Sequence, residues 1–211
     1  ALKRPWAFVR QGTRTVVKRG KLFVIDGPSG SGKSTILHAV EADPTLELTH
    51  VKRRTTRQRR PGDDAEGNYE FVSHDAFRRM VEAGAFLEWK DYLFGMSYGT
   101  PRGEVEALLE AGRNVVAIIN LGNLPTVKEA IPDAVGIFIT TALSDLEQRL
   151  RARGNHTEEQ IAERLGNAAA STRLEPLYDH VVSNDDDRLE ACLHEVHDII
   201  ATHLGLASPD E

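Results

Sequence analysis

The chain has little that would suit it to a membrane or to disulfide stabilisation. It contains one cysteine, Cys192, which excludes an internal disulfide and fits a reducing cytoplasm, although many secreted chains would also fit. No apolar run approaches the ~20 residues that a bilayer-spanning helix needs, so we exclude membrane insertion. The first ten residues lack a continuous apolar block, so no secretory signal is predicted. We therefore expect a cytoplasmic protein.

Acidic residues outnumber basic residues outside the N-terminus. The formal net charge is −6, yet residues 1–20 contain only basic charged residues. The rest of the chain is more acidic still, which argues against a protein that coats nucleic acid. We interpret 1–20 as a solvated basic extension rather than an arm that binds nucleic acid or a partner.

The 211 residues suffice for one α/β core but not for two large domains. Apolar β-rich runs at 21–25, 114–119 and 134–139, with a weaker one at 180–182, are typical of parallel strands buried on both faces. Helices are predicted between them, with N-caps at Ser73, Ser144 and Thr157 and with glycines that end the segments 73–83 and 102–111. A last helix is predicted over 187–204.

The stretch from about 48 to 102 differs in character because it is polar and basic, with scattered aromatic residues. We predict that it is an insert, and that 21–47 and 103–204 form the core, followed by a tail at 205–211. Substrate would bind between the insert and the core, at the carboxyl edge of the sheet.

A phosphate loop, GPSGSGKS at 27–34, lies between the first predicted strand and a helix. Its glycines let successive backbone N–H groups face a phosphate, while Lys33 can reach the β- and γ-phosphates and Ser34 can ligate Mg²⁺. The residues predicted to bind ATP here are Gly27, Ser29, Gly30, Ser31, Gly32, Lys33, Ser34 and Thr35. This loop alone does not separate kinases, GTPases and motor-type ATPases.

Four further runs follow in order: TTRQRRPG at 55–62, GNYEFVS at 67–73, FLEW at 86–89 and SYGTP at 97–101. Together with the phosphate loop, they resemble the guanylate kinase family over roughly residues 20–202. The resemblance implies a P-loop kinase of α/β class, in which helices flank a parallel sheet and a small mixed insert binds the acceptor beneath a helical lid. It also implies ATP- and Mg²⁺-dependent transfer to a small-molecule acceptor, GMP or dGMP.

The basic and phenolic residues of these runs suit an acceptor phosphate. Arg57 and Arg60 can grip a dianion through their planar forks, and Tyr69 and Tyr98 add directional donors. In the family, the matching positions hold the acceptor's phosphate.

Glu88 is the candidate for reading the base. A carboxylate accepts both the N1–H and the exocyclic amino N–H of guanine, whereas adenine has no donor at N1. Thr100 resembles the family's hydroxyl position near the base edge.

The resemblance also implies a lid at about 144–165. Arg149 and Arg153 lie one helical turn apart, and with Arg164 they match the family's lid arginines, which we predict to be catalytic together with Lys33. Arg151 points elsewhere and is interpreted as a surface residue. Asn184 lies in a segment that resembles the family's segment beside the donor adenine.

Two positions depart from the family's pattern. An acidic run usually follows the strand that corresponds to 115–119, but here 118–123 reads IINLGN, so both acids are gone and Asn120 remains as a polar contact. Arg53 stands where a serine usually contacts the base. Both departures resemble the ribose 1,5-bisphosphate phosphokinases, whose acceptor would offer Arg53 a second phosphate.

Three functions therefore stay open. Phosphorylation of GMP leads, a phosphopentose kinase is second, and an inactive guanylate-kinase-like binding module is third, disfavoured by the intact phosphate loop. The histidines show no spacing typical of a zinc site. A homo-oligomer is possible, but the sequence does not define one.

Overall fold

A parallel five-stranded sheet forms the centre of the protein. The computed structural model describes residues 18–59, 63, 67–92, 95–152 and 157–206. Numbered in chain order, the central strands are β1 (Leu22–Asp26), β2 (Leu48–His50), β7 (Asn114–Ile118), β8 (Val135–Thr140) and β9 (His180–Ser183). They lie in the order β2-β7-β1-β8-β9, and every neighbouring pair is parallel. The predicted parallel sheet is confirmed.

Helices cover both faces of this sheet. They are α1 (Lys33–Ala42), α2 (His74–Glu82), α3 (Arg102–Glu110), α4 (Leu124–Ala130), α5 (Leu143–Ala152), α6 (Glu158–Ser171), a 3₁₀ helix (Thr172–Leu177) and α7 (Leu189–Leu204). Side chains alternate along β1, so that Phe23 and Ile25 join the cluster with α1 and α7, while Leu22 and Val24 join the cluster with α3 and α4. Burial on both faces explains the continuous apolar runs.

A second, mixed sheet lies within the segment that is predicted to bind the acceptor. It contains β3 (Arg53–Thr55), β4 (Tyr69–Phe71), β5 (Phe86–Tyr92) and β6 (Met96–Pro101), in the order β4-β3-β6-β5. Strands β3 and β4 are parallel, and the other pairs are antiparallel. The segment predicted as an insert, 48–102, also includes β2, which pairs with β7 at the edge of the central sheet.

Two helix starts, those of α5 and α6, have different outcomes for their predicted N-caps. Thr157 caps α6 as predicted, because its hydroxyl accepts from Gln160 N while the Gln160 side chain accepts from Thr157 N. The predicted cap at Ser144 is wrong, since α5 begins one residue earlier and Ser144 lies within its first turn. The carboxylate of Asp185, after β9, instead accepts from Ala142 N at 2.7 Å.

The C-terminal helix is shorter than predicted and holds the single cysteine. Asp187 has a φ of 62°, so the helical path begins only at Leu189. Cys192 is buried against the central sheet, and burial raises the pKa of its thiol to about 11. Among the described residues, no helix combines the length and apolar character required to cross a bilayer. The predicted extension 1–20 lies mostly outside the described residues.

Candidate active site

The phosphate loop joins β1 to α1 and is shaped by its glycines. Gly27, Gly30 and Gly32 have φ values of 143°, 96° and 90°. These positive values favour glycine, and there is also no room for a side chain, because a Cβ at Gly27 would lie 2.3 Å from the Ile139 carbonyl oxygen. The loop therefore keeps a curled backbone that residues with side chains would not adopt.

Polar side chains complete the loop. Lys33 Nζ donates to the carbonyls of Gly27 and Pro28, both at 2.7 Å. Ser34 is half-buried in the first turn of α1, next to the exposed Thr35. The buried hydroxyl of Ser31 has no hydrogen-bond partner within the described part of the chain. A cation thus lies against the loop beside hydroxyls with spare hydrogen-bonding capacity.

Asn184 braces the loop from the end of β9. Its Nδ2 donates to the Ser31 carbonyl at 2.8 Å, and a Cβ on Gly32 would lie 2.3 Å from the same nitrogen. The sequence predicted a role beside the donor adenine, and the observed contact is with the phosphate loop itself.

Glu88 lies in the half of the site that is predicted to bind the acceptor, where the mixed sheet meets the central sheet. Only 2% of the residue is exposed. Its carboxylate accepts from Thr100 Oγ1 at 2.6 Å, from Asn120 Nδ2 at 2.7 Å and from Asn123 Nδ2 at 2.9 Å. Glu88 is therefore a buried anion surrounded by neutral donors, rather than an exposed charge at a strand end. Asn123, three residues after Asn120, is a contact of Glu88 that was not predicted from the sequence.

Arg53 is buried next to this network. One guanidinium nitrogen donates to Asn120 Oδ1 at 2.5 Å, and the guanidinium carbon lies 5.1 Å from the centroid of the Tyr98 ring. Its Nε is buried without a hydrogen-bond partner among the described residues. Arg53, Asn120 and Glu88 thus form one continuous chain of contacts.

Arg57 is bound to a carboxylate that the sequence analysis did not select. Its two terminal nitrogens donate to Asp63 at 2.9 and 2.8 Å, and its guanidinium lies over the Tyr69 ring at 5.1 Å. Burial lowers the pKa of Arg57, but the hydrogen bond to Asp63 and nearby negative charge outweigh burial and raise it. The rings of Tyr69 and Tyr98 are 5.8 Å apart, so the predicted phosphate-binding groups are neighbours. Arg60 lies outside the described residues.

The lid arginines have different partners. Arg164, on α6, donates to Ser29 Oγ in the phosphate loop at 2.6 Å. Arg149, on α5, pairs with Asp186 at 2.8 Å, and Arg153 lies outside the described residues. Arg151 pairs with Glu147 and Glu158 on the exposed surface, as its interpretation as a surface residue requires. One predicted lid arginine therefore already contacts the phosphate loop.

A family model described as guanylate kinase matches residues 19–203, which is most of the chain. The chain belongs to the guanylate kinase family. The guanylate kinase of Sphingopyxis alaskensis is 42% identical over 186 residues, covering 87% of this chain and 82% of the relative. That of Symbiobacterium thermophilum is 40% identical over 169 residues, covering 80% and 79%.

The fold agrees with that of a solved guanylate kinase. The crystal structure of the enzyme from Anaplasma phagocytophilum superposes with a TM-score of 0.67 at 24% identity, covering 88% of this chain and 86% of that one. The predicted fold class is confirmed, and membership of the guanylate kinase family makes this chain a phosphotransferase.

Proposed function

We propose that this protein transfers the γ-phosphoryl group of ATP to the phosphate of GMP or dGMP, giving ADP and GDP or dGDP. The buried carboxylate of Glu88 is the observation that carries this proposal. Guanine would present N1–H and the exocyclic amino group to it, exchanging for the asparagine donors that now contact it. Adenine has no donor at N1, so AMP would leave the carboxylate partly unpaired, at a cost of about 1–3 kcal/mol or more.

The acceptor's phosphate would bind at Arg57, Tyr69 and Tyr98, with Arg60 added from the family resemblance. Arg57 is already buried and bidentate with Asp63, a geometry that suits a phosphate equally well. A bound GMP phosphate would compete with Asp63 for this fork. Arg57 is therefore already in place for the phosphate of GMP, but it must release Asp63 to bind it.

The donor half supplies charge and alignment. An acceptor phosphate oxygen is anionic near neutral pH, so transfer to it requires no general base. Lys33 would leave the Gly27 and Pro28 carbonyls to contact the ATP phosphates. Arg164, which contacts the phosphate loop through Ser29, would add positive charge as the lid excludes water.

Magnesium fits this loop as the metal of the reaction. The half-buried Ser34 hydroxyl is the hard oxygen donor that Mg²⁺ prefers, and it directly follows Lys33 at the start of α1. When bound, the metal neutralises charge on the β- and γ-phosphates. Ser34 would hold it, and the chain's own residues would do the remaining alignment.

The phosphopentose alternative depends on Arg53. Its guanidinium lies over Tyr98 and donates to Asn120, which itself donates to Glu88. This position suits donation to the O6 acceptor of a guanine bound at Glu88, as arginine commonly does. The family model and the relatives also favour GMP over a sugar phosphate.

An ADP-release assay on the purified protein tests the proposal. GMP, dGMP, AMP, CMP, UMP and ribose 1-phosphate derivatives would each be offered with MgATP. We expect turnover with GMP and dGMP and little with the others. Activity on a sugar phosphate without activity on GMP would favour the phosphopentose kinase, and ATP binding without turnover of any acceptor would favour the inactive module.

A further inference from the structure

Asp26 is a buried carboxylate that the proposed chemistry does not use. It ends β1 directly before the phosphate loop and is 0% exposed. Its Oδ1 accepts from Gly27 N at 2.6 Å, and its Oδ2 accepts from Gly122 N at 3.0 Å. Gly122 lies within 118–123, the segment in which this chain lacks the acidic residues usual for guanylate kinases. A carboxylate from the neighbouring strand thus reaches the place where those acids are missing.

A third donor connects Asp26 to the base of the lid. The hydroxyl of Tyr178 donates to Asp26 Oδ2. Tyr178 directly follows the 3₁₀ helix Thr172–Leu177, which continues the lid helix α6. Asp26 is therefore the common partner of the phosphate loop, the turn after β7 and the lid base.

The turn after β7 contacts Glu88, the residue proposed to bind the guanine base. It is closed by a bond from Asn123 N to the Asn120 carbonyl at 3.0 Å, and both asparagine side chains donate to Glu88. A shift of Gly122 would move these two donors. Asp26 therefore reaches the acceptor half through the turn and the donor half through Gly27.

The charge of Asp26 is costly to the fold. Burial raises its pKa, an effect only partly offset by the Tyr178 hydrogen bond, the charge of Lys33 and the Gly27 and Gly122 amides. All three hydrogen-bond partners donate, so they satisfy the ionised carboxylate and not the acid. A buried charge with a raised pKa weakens folding at neutral pH, which is the expected signature of a residue retained for function.

We propose that Asp26 is a positioning residue for phosphoryl transfer. It holds the phosphate loop, the turn after β7 and the lid base in one arrangement. It also supplies, from β1, the negative charge that guanylate kinases usually carry after the strand corresponding to β7. The inference rests on the proposed function. Asp26 acts through Lys33, the turn after β7 and the lid base rather than by touching substrate.

Asp26→Asn tests the inference, since it keeps the shape and removes the charge. We expect kcat with GMP at pH 7.5 to fall about 10- to 100-fold, as for other supporting residues of an active site. The dissociation constant of MgATP should change less than about threefold, and Tm should change little, because the relief from a buried charge offsets the buried donor that the amide leaves unpaired. A residue with a merely structural role would instead lower Tm, ATP binding and kcat together, and that result would overturn the inference.

The pH profile gives a second readout. Among the described residues, three titratable groups face Asp26: Lys33 of α1, Tyr92 of β5, and Tyr178 after the 3₁₀ helix. The pKa values of both tyrosines are raised, that of Tyr92 to about 12, so neither tyrosine titrates near neutrality. Because the pKa of Asp26 is raised, kcat of the wild type should fall as pH drops through a value above the ordinary ~3.9 of aspartate. The variant should lack this component and keep only the fall caused by protonation of the substrate phosphates at pH ~6. An identical acid limb in both proteins would contradict the inference.

Tyr178→Phe is the matched variant, because it removes one donor and keeps the carboxylate. We expect a loss of kcat of about two- to fivefold with unchanged MgATP binding, smaller than for Asp26→Asn. If Asp26→Asn fails to fold, this variant decides, and an unchanged kcat would overturn the inference. A wild type that does not phosphorylate GMP would overturn the proposed function and the inference with it, whereas an active wild type and an equally active Asp26→Asn would overturn the inference alone.

Discussion

The donor and acceptor halves of the site are built differently. The donor half is a run of consecutive residues whose shape comes from glycines with positive φ, and its Lys33 and Arg164 contact neutral carbonyl and hydroxyl groups. The acceptor half is assembled from β3, β5, β6 and the segment after β7. There Arg57 is bound to a carboxylate and Glu88 to three neutral side-chain donors.

The difference concerns what each substrate must displace. ATP phosphates would replace the Gly27 and Pro28 carbonyls that Lys33 now contacts, in a loop where Lys33 also lies near the carboxylate of Asp26. GMP would have to exchange with an ion pair at Arg57 and with asparagine and threonine donors at Glu88. We therefore expect the donor half to depend on single charges, whereas the acceptor half depends on a network in which each partner affects the others.

Lys33→Met gives the largest expected effect and tests the donor half. Loss of the loop's cation should lower kcat on the order of 10²–10³-fold, because charge that develops on the transferred phosphoryl group loses its stabilising partner. Steady-state kinetics with saturating GMP measure this. Arg151→Met is the matched control and should retain wild-type kcat, since the partners of Arg151 among the described residues are the surface carboxylates of Glu147 and Glu158.

Glu88→Gln separates the two halves most directly. The amide nitrogen would face the guanine donors, so kcat/KM for GMP should fall about 10²-fold while the dissociation constant of ATP stays unchanged. Initial rates and ATP titration provide both values. Glu104→Gln, which changes a half-exposed carboxylate that pairs with Arg54, should leave both unchanged. Equal losses for the two nucleotides would refute the assignment of Glu88.

Asp63→Asn tests whether Arg57 binds the phosphate of GMP. Removing the carboxylate leaves a buried guanidinium without its bidentate partner, so the free energy of unfolding should fall by about 2 kcal/mol. GMP would supply the missing anion, so it should raise Tm more in the variant than in the wild type. Thermal unfolding with and without GMP measures this difference. Glu70→Gln, at the exposed position of β4, is the control. Equal GMP shifts in Asp63→Asn and wild type would count against phosphate binding at Arg57.

Asp185 gives the smallest expected effect and concerns the start of the lid. Hydrogen bonds from Ser183 and from the Ala142 amide lower the pKa of its carboxyl. A lowered pKa stabilises the fold above the ordinary carboxyl value, and this contribution is lost as pH falls through the folded-state pKa. Asp185→Asn should therefore cost about 0.5–1 kcal/mol at neutral pH, after solvent screening, and nothing in strong acid.

Chemical unfolding at several pH values measures the effect of Asp185. Ser144→Ala is the matched variant, because Ser144 lies inside the first turn of α5 and makes no cap. It should unfold like the wild type at every pH. A larger effect of Ser144 than of Asp185 would contradict the capping described for α5.

The parts of the protein that could be predicted are those governed by local sequence. The central strands follow from apolar runs buried on both faces, and the phosphate loop follows from three glycines and a lysine within eight residues. Thr157 and Gln160 cap α6 through contacts three residues apart. In each case, the deciding interaction lies within one turn or one strand.

Contacts between distant segments could not be predicted in the same way. Asp26 and Tyr178 are separated by 152 positions, and Glu88 and Asn123 by 35. Ser144 and Asp185 both suit the start of α5, and only the packing of β9 beside β8 favours the second. The composition of 48–102 assigned β2 to the insert because the stretch is polar and basic, whereas the structure pairs β2 with β7 at the edge of the central sheet. Family resemblance supplied candidates for the acceptor half, but not the partners that hold them.

The chemistry of Cys192 has a practical consequence. Its thiol is buried and stays protonated at ordinary pH, so it should react slowly with maleimides and other thiol reagents. A new cysteine placed on the exposed face of α6 could thus be labelled selectively without removing the natural one. A fluorophore at such a position would test whether the predicted lid moves when ATP and GMP bind, in a protein whose core is otherwise unaltered.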